Sequence, residues 1–221
     1  MAASPAALLQ ATDLAWSVGD RFILVDVQVQ FAAGTLTVLW GDNGAGKSTL
    51  LDLLAGLRTP DRGEVKLAGV AVADIHPADM ARRLARVGHK PGAYLDLTAT
   101  ENVRLLASLH GSPPSLAQVS ASLDRVGLAR ADQHRAVRGF SRGMLQRTAL
   151  ARLLLTGADV WLLDEPSTGL DAAGQALLAG LLDEARRNGA AVVVATHDFA
   201  CIPRPDQWLQ VRRGHVSEAR P

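Results

Sequence analysis

The tightest constraint on this chain is a junction in its first quarter. The apolar run Thr35–Trp40 passes directly into Gly41-Asp42-Asn43-Gly44-Ala45-Gly46-Lys47-Ser48, and then into leucines at 50, 53, 54 and 57. An apolar run bounded by glycine reads as a buried strand, and leucines spaced by three and four mark one face of a helix. The glycines between them let the backbone bend so that several N–H groups point inward, and the helix start adds the positive end of its dipole. Gly, four residues, then Gly-Lys-Ser is the spacing of a phosphate-binding loop. On that reading Gly41, Asn43, Gly44, Ala45, Gly46 and Thr49 line the phosphates of ATP. Lys47 bridges the β- and γ-phosphates, and the Ser48 hydroxyl holds Mg²⁺. A glycine-rich turn before an ordinary helix is the plainer alternative, but it leaves the buried strand and amphipathic helix on either side as coincidence.

The rest of the chain supplies a sheet for that junction. Val160-Trp161-Leu162-Leu163 ends in Asp164-Glu165, Ala191–Thr196 ends in His197, and a helical stretch, Ala172–Asn188, lies between them. Strands that are apolar along their whole length, alternating with helices, call for a mainly parallel sheet covered on both faces. Phe22–Phe31 alternates partly and belongs to an N-terminal antiparallel β part. From about Pro77 to Leu155 the pattern is mostly helical. Thr98 and Glu101 form a capping box for a helix reaching His110, and a second helix follows Pro113-Pro114 to about Val126. The expected architecture is one α/β domain over 1–221, with a core lobe of about 8–80 and 158–221 and an inserted helical lobe of about 81–157.

A carboxylate at the carboxyl end of a buried strand lies beside the phosphate loop in such a sheet. Asp164 is therefore expected to hold Mg²⁺ through its water shell. Glu165 is expected to orient, or take a proton from, the water that attacks the γ-phosphate. His197, on the neighbouring strand, is placed to sense that phosphate. Lys47, Glu165 and His197 are the expected catalytic residues.

Composition narrows the setting. At 221 residues and 48% hydrophobic the chain can bury a substantial core, and its net charge of +1 gives no reason to expect nucleic acid as a partner. The single cysteine, Cys201, excludes an internal disulfide. Met1–Ala7 lacks the basic-then-apolar pattern of a signal peptide. No apolar run approaches the roughly 20 residues that span a bilayer. Any membrane role must come through a partner.

Phe140-Ser141-Arg142-Gly143-Met144-Leu145-Gln146-Arg147 precedes the helix that leads into the two-acid strand. It resembles the signature motif of ABC ATPases, usually Leu-Ser-Gly-Gly-Gln followed by a basic residue. Asp164-Glu165-Pro166-Ser167-Thr168-Gly169-Leu170-Asp171 resembles the family's acidic strand end and D-loop, and His197 its switch histidine. The resemblance spans nearly the whole chain in the family's order. It implies a P-loop NTPase of the ABC nucleotide-binding type, hydrolysing ATP beneath an integral membrane transporter subunit. It also implies a second ATPase subunit, with two MgATP clamped between the pair and Ser141, Gly143 and Asp171 completing the partner's pocket. Physically, Ser141 can cap the following helix, whose free N–H groups then form an anion site.

The departures are specific. Arg142 replaces a glycine and Met144 the glutamine; Arg142 can add a charge-assisted phosphate contact or crowd the backbone. Val87-Gly88-His89-Lys90-Pro91-Gly92 puts His89 where the family has a glutamine, as a metal ligand weaker than an amide oxygen. The adenine-stacking position falls on Val18, with Trp16 close by.

Gly88–Gly92, Leu97-Thr98-Ala99 and Glu101-Asn102 are similar to the haem exporter ATPases of cytochrome c maturation, as are Ala151–Thr156 and Trp161–Pro166. That similarity implies peripheral attachment to the cytoplasmic side of a bacterial inner membrane, alongside haem-handling membrane proteins. It places a coupling surface over Gly92–Asn102. Thr168-Gly169-Leu170-Asp171 is the general exporter form, which leaves a drug, lipid or polysaccharide exporter as the rival. A non-transport ABC ATPase usually carries tandem domains or coiled-coil insertions, and a small-molecule kinase leaves the signature and Asp171 unexplained.

Overall fold

In a computed structural model, residues 7–90 and 92–221 are described. Pro91 of the Gly88–Gly92 run, and the residues before Ala7, lie outside them. The N-terminal half contains β1 Ala7–Val18, β2 Arg21–Ala32, β3 Leu36–Trp40, α1 Lys47–Leu54, β4 Arg62–Leu67, β5 Val70–Ala71, α2 Pro77–Arg83 and β6 Leu84–Val87. The second half adds α3 Ala99–Ser108, α4 Leu116–Arg125, α5 Arg130–Gln133, α6 Arg142–Leu154, β7 Val160–Asp164, α7 Ala172–Arg187, β8 Ala191–Ala195, β9 Gln207–Arg212 and β10 His215–Glu218.

The strands sort into two sheets according to their burial. Those with one solvated face, β1, β2 and β4, join β5 in an antiparallel sheet of order β2-β1-β4-β5. The largely apolar and buried β3, β7 and β8 form the centre of a second sheet, β10-β9-β3-β8-β7-β6. Every neighbouring pair in it is parallel except β9–β10. Helix α1 lies between the sheets. Leu50, Leu51, Leu53 and Leu54 are at most 1% exposed and share a core with Leu9, Leu24 and Phe31 on one side and Leu162 and Val193 on the other. Each such leucine contributes about 1.5–3 kcal/mol of burial. Alternate residues of the same strands, Leu163, Val192 and Val194, face the opposite way and pack with α7 and the helical lobe.

The helical lobe is built from α3 to α6. The capping box foreseen at Thr98 and Glu101 is present, and Ser115 with Gln118 makes a second one at the start of α4. The expected lobe boundary near residue 81 moves. Leu84–Val87 pairs in parallel with Val160–Leu163 and is the edge strand of the core sheet. Its arginine and short apolar run blend with α2 in the sequence, so only the pairing reveals a strand. Among the described residues no helix is long and apolar enough to cross a membrane.

Candidate nucleotide site

Strands β3, β7 and β8 are adjacent and parallel, so their carboxyl ends deliver Gly41, Asp164-Glu165 and Thr196-His197 to one edge of the sheet. The loop after β3 can follow its path only with glycine at the bend. Gly41 has φ +147°, and a Cβ there would lie 2.2 Å from the Val211 carbonyl oxygen of β9. The loop ends on Gly46, and Lys47 opens α1 with its side chain buried. The Lys47 ammonium donates to the carbonyls of Gly41 at 2.7 Å and Asp42 at 3.0 Å, which holds the charge inside the loop.

Asp164 ends β7 only 3% exposed. Its nearest cation is Arg86 of β6, with Nη2 at 3.6 Å from Oδ2, and the same guanidinium is bound at 2.6 Å by Asp52 of α1. Asp52 also holds Arg58, whose guanidinium lies 4.8 Å from the Trp16 ring centroid. A continuous chain of contacts therefore links Trp16 to Asp164.

Glu165 adopts φ +51°, a conformation uncommon for a residue with a side chain. Its N–H donates to the Ala195 carbonyl at 2.8 Å, and its carboxylate is held from both sides. The Thr196 hydroxyl shares its proton between Oε2 at 3.1 Å and the Asp198 carbonyl at 3.2 Å, and His197 Nδ1 lies 2.8 Å from Oε1. Strained backbone over-determined by neighbours is what a pre-set functional carboxylate requires.

These groups line a cleft of about 630 Å³. Asn43, Gly44, Lys47 and Ser48 form its floor, Asp164, Glu165 and His197 one wall, and Trp16, Val18 and Ile23 another. His89 also reaches the cleft. Both residues considered for the base, Val18 and Trp16, thus line it, and Trp16 has a cation against its ring. Ser48 and the buried Asp164 offer oxygen donors that fit Mg²⁺. His89 fits less well than its position in the sequence implied, because its Nε2 lies 3.0 Å from Arg142 Nη2.

Ser141, Gly143 and Asp171 do not line the cleft. Ser141 and Gly143 lie at the start of α6, and Asp171 at the start of α7. The Ser141 hydroxyl accepts from Met144 N–H at 3.2 Å, capping the helix as expected. Gly143 has no room for a side chain, since a Cβ would sit 2.3 Å from the Gly169 carbonyl oxygen. Asp171 caps α7 by accepting from Gly174 N–H at 2.9 Å, and it pairs with Arg147 at 2.6 Å. The Gly174 N–H, reinforced by Arg147, holds its carboxyl below the usual range. A profile of the family described as ABC transporter matches residues 24–168, from β2 through the phosphate loop to the D-loop. The chain belongs to the ABC transporter ATPase family.

Relatives within that family agree over most of the length. The cytochrome c biogenesis ATP-binding export protein CcmA of Cupriavidus pinatubonensis is 40% identical, over 95% of this chain and 91% of its own. The protein of the same name from Methylococcus capsulatus is 39% identical over 81% of this chain and 86% of its own. Among solved structures, one described as an ATP-binding subunit of an ABC transporter superposes with TM-score 0.86 at 29% identity, covering 96% of this chain and 89% of its own. A dimeric ATP-binding cassette in a post-hydrolysis state with ADP and Pi shares the fold, with TM-score 0.83 at 23% identity and coverage of 96% and 99%. The α/β ABC-type fold and the ATPase assignment read from the sequence both stand.

Two contributors to this ABC site escaped the sequence reading. Thr196, fully buried at the end of β8, steadies Glu165. Its signal was a hydroxyl closing an otherwise apolar strand directly before His197. Arg86 had no comparable signal, because only strand pairing brings it to Asp164.

Proposed function

We propose that this ABC ATPase dimerises around two MgATP and drives a membrane partner that handles haem for cytochrome c biogenesis. The observation that carries hydrolysis is the convergence of Lys47, Asp164, Glu165 and His197 on one cleft. In this reading the loop N–H groups and Lys47 hold the β- and γ-phosphates. Ser48 and Asp164 hold Mg²⁺, which supplies neutralisation of phosphate charge. Glu165 receives the proton of the attacking water, kept in place by the Thr196 hydroxyl and His197. A neutral His197 ring that donates from Nδ1 has only a lone pair at Nε2, so donation to Glu165 and to a phosphate together requires the imidazolium.

Ser141 and Gly143 sit outside their own cleft at the start of α6, where free N–H groups suit an anion. That placement supports a role in a second subunit's pocket, with Asp171 at the seam. The dimeric cassette of the same fold supports the pairing. Tyr94 and Leu95, 57% and 52% exposed, precede α3, and Leu105 and Leu109 stand exposed along its outer side. The exposed Tyr94 and Leu95 fit a membrane partner docking over Gly92–Asn102, and Leu105 and Leu109 offer further apolar surface along α3. The link to cytochrome c biogenesis rests on the relatives' shared name, and the haem role and attachment at the cytoplasmic side of a bacterial inner membrane rest on the sequence resemblance.

The test is to purify Glu165→Gln from its native membranes with MgATP and identify what accompanies it. Small haem-handling membrane proteins are expected. A conventional drug, lipid or polysaccharide permease would keep the ATPase and discard haem. Ribosomes, DNA or soluble partners alone would overturn the transporter assignment.

A further inference from the structure

Between Leu50 and Leu54, helix α1 carries a single polar residue, Asp52, and two arginines converge on it. Arg58 reaches Oδ2 with Nε at 3.2 Å from an exposed position. Arg86, whose side chain is only 13% exposed, brings Nε to 2.8 Å and Nη2 to 2.6 Å of Oδ1. Its Nη1 donates to the Val87 carbonyl at 3.4 Å. The hydrogen bonds of this enclosed guanidinium thus go to Asp52 and to backbone. Asp164 feels its charge from 3.6 Å, beyond hydrogen-bonding distance, and among the described residues no other cation pairs with that carboxylate. A cation so close to a nearly buried carboxylate has two positions open to it. About 0.8 Å further on it forms a charge-assisted hydrogen bond of about 2.8 Å and occupies a carboxylate lone pair. Held back, it offsets the cost of burying the charge and leaves the oxygens unoccupied. Asp52 decides between the two, because it competes for the same Nη2.

We propose that Asp52 is a positioning residue for the metal site: by engaging Arg86 it keeps that guanidinium off Asp164 and leaves the Asp164 oxygens open to the water shell of Mg²⁺. The inference rests on the reading of Asp164 as a metal-holding carboxylate.

The experiment is a Mn²⁺ titration of the full chain carrying one equivalent of ADP, with bound metal read from its electron paramagnetic resonance spectrum. Asp52→Asn is expected to weaken Mn²⁺ binding about tenfold or more, the effect of setting one charge-assisted hydrogen bond in competition with the metal. Arg86→Gln should bind at least as tightly as the wild-type chain. Adding Asp52→Asn to Arg86→Gln should change the affinity by less than about twofold, because no guanidinium is left to release. An equal loss in both backgrounds would make the effect one of distant charge and overturn the proposal. So would unchanged binding in Asp52→Asn, or a matching loss in Arg86→Gln, which would make the ion pair a structural tie. Affinity for ADP in the absence of metal should stay the same throughout, and a parallel loss there would also overturn it. Asp52→Ser and Arg86→Met stand in for any variant that does not fold. If Asp164→Asn bound Mn²⁺ as the wild-type chain does, the reading of Asp164 as a metal-holding carboxylate would itself fail.

Discussion

The phosphate loop and the start of α6, proposed above to serve one nucleotide between two subunits, are held in different ways. The loop is fixed by backbone. Glycine at 41 is forced by the approach of Val211, and the helix behind the loop is packed on both sides by leucines. The start of α6 touches backbone at one point, Gly143 against the Gly169 carbonyl, and is otherwise held by long side chains reaching outward: Arg142 to His89, Arg147 to Asp171 and to the Val126 carbonyl. Backbone fit admits one geometry. Arginine tethers can be exchanged for other partners, which suits the surface proposed to meet a second subunit and let it go.

The sharpest way to break this contrast is to remove chemistry while leaving both anchors in place. Glu165→Gln should lower ATP turnover by about a hundredfold or more, the usual share of a general base, while retaining ATP binding and accumulating as a dimer. Near-normal turnover would show that the strained carboxylate is not the base. Next in size, Gly143→Ala forces the start of α6 off the Gly169 carbonyl. A displacement near 1 Å in a catalytic assembly can cost on the order of a hundredfold, so turnover should collapse while ADP binding in the loop persists. Loss of ADP binding as well would mean the two regions are not separately anchored.

A smaller effect sharpens the loop side. Thr196→Val removes one hydrogen bond to Glu165 and should cut kcat by up to about tenfold with KM for ATP unchanged. A shift confined to KM would reassign Thr196 to binding. Smallest is the helical lobe's own cap. Thr98→Ala should destabilise the fold by about 1 kcal/mol in a denaturant titration, without altering nucleotide affinity. The backbone N–H of Thr98, and then its hydroxyl, depress the Glu101 carboxyl. A depressed carboxylate stabilises the fold above its unfolded pKa and loses that contribution as pH falls through the folded value. The wild-type chain should therefore lose stability below the ordinary glutamate range, and Thr98→Ala should blunt that slope.

The same contrast explains what could be read in advance. The loop, Asp164-Glu165 and the Thr98 cap were legible because spacing and residue type dictate them locally: glycines where the chain bends, acids where an apolar strand stops, a hydroxyl three residues before a glutamate. The edge strand Leu84–Val87 was not, because an arginine in a four-residue run carries no period. The Arg142–His89 contact was also hidden. Both residues stood out as departures, but 53 positions separate them and only the fold brings them together. The positive φ of Glu165 has no sequence mark either, since nothing in the letter glutamate announces a left-handed backbone.

Helix α1, wedged between the two sheets, has a mechanical consequence. With its four core leucines closed off on opposite sides, the helix that carries the phosphate loop has no free direction in which to tilt. It serves as the stator of the molecule. A nucleotide held by the loop would press on a part packed from both sides, and any displacement would fall to the less enclosed start of α6.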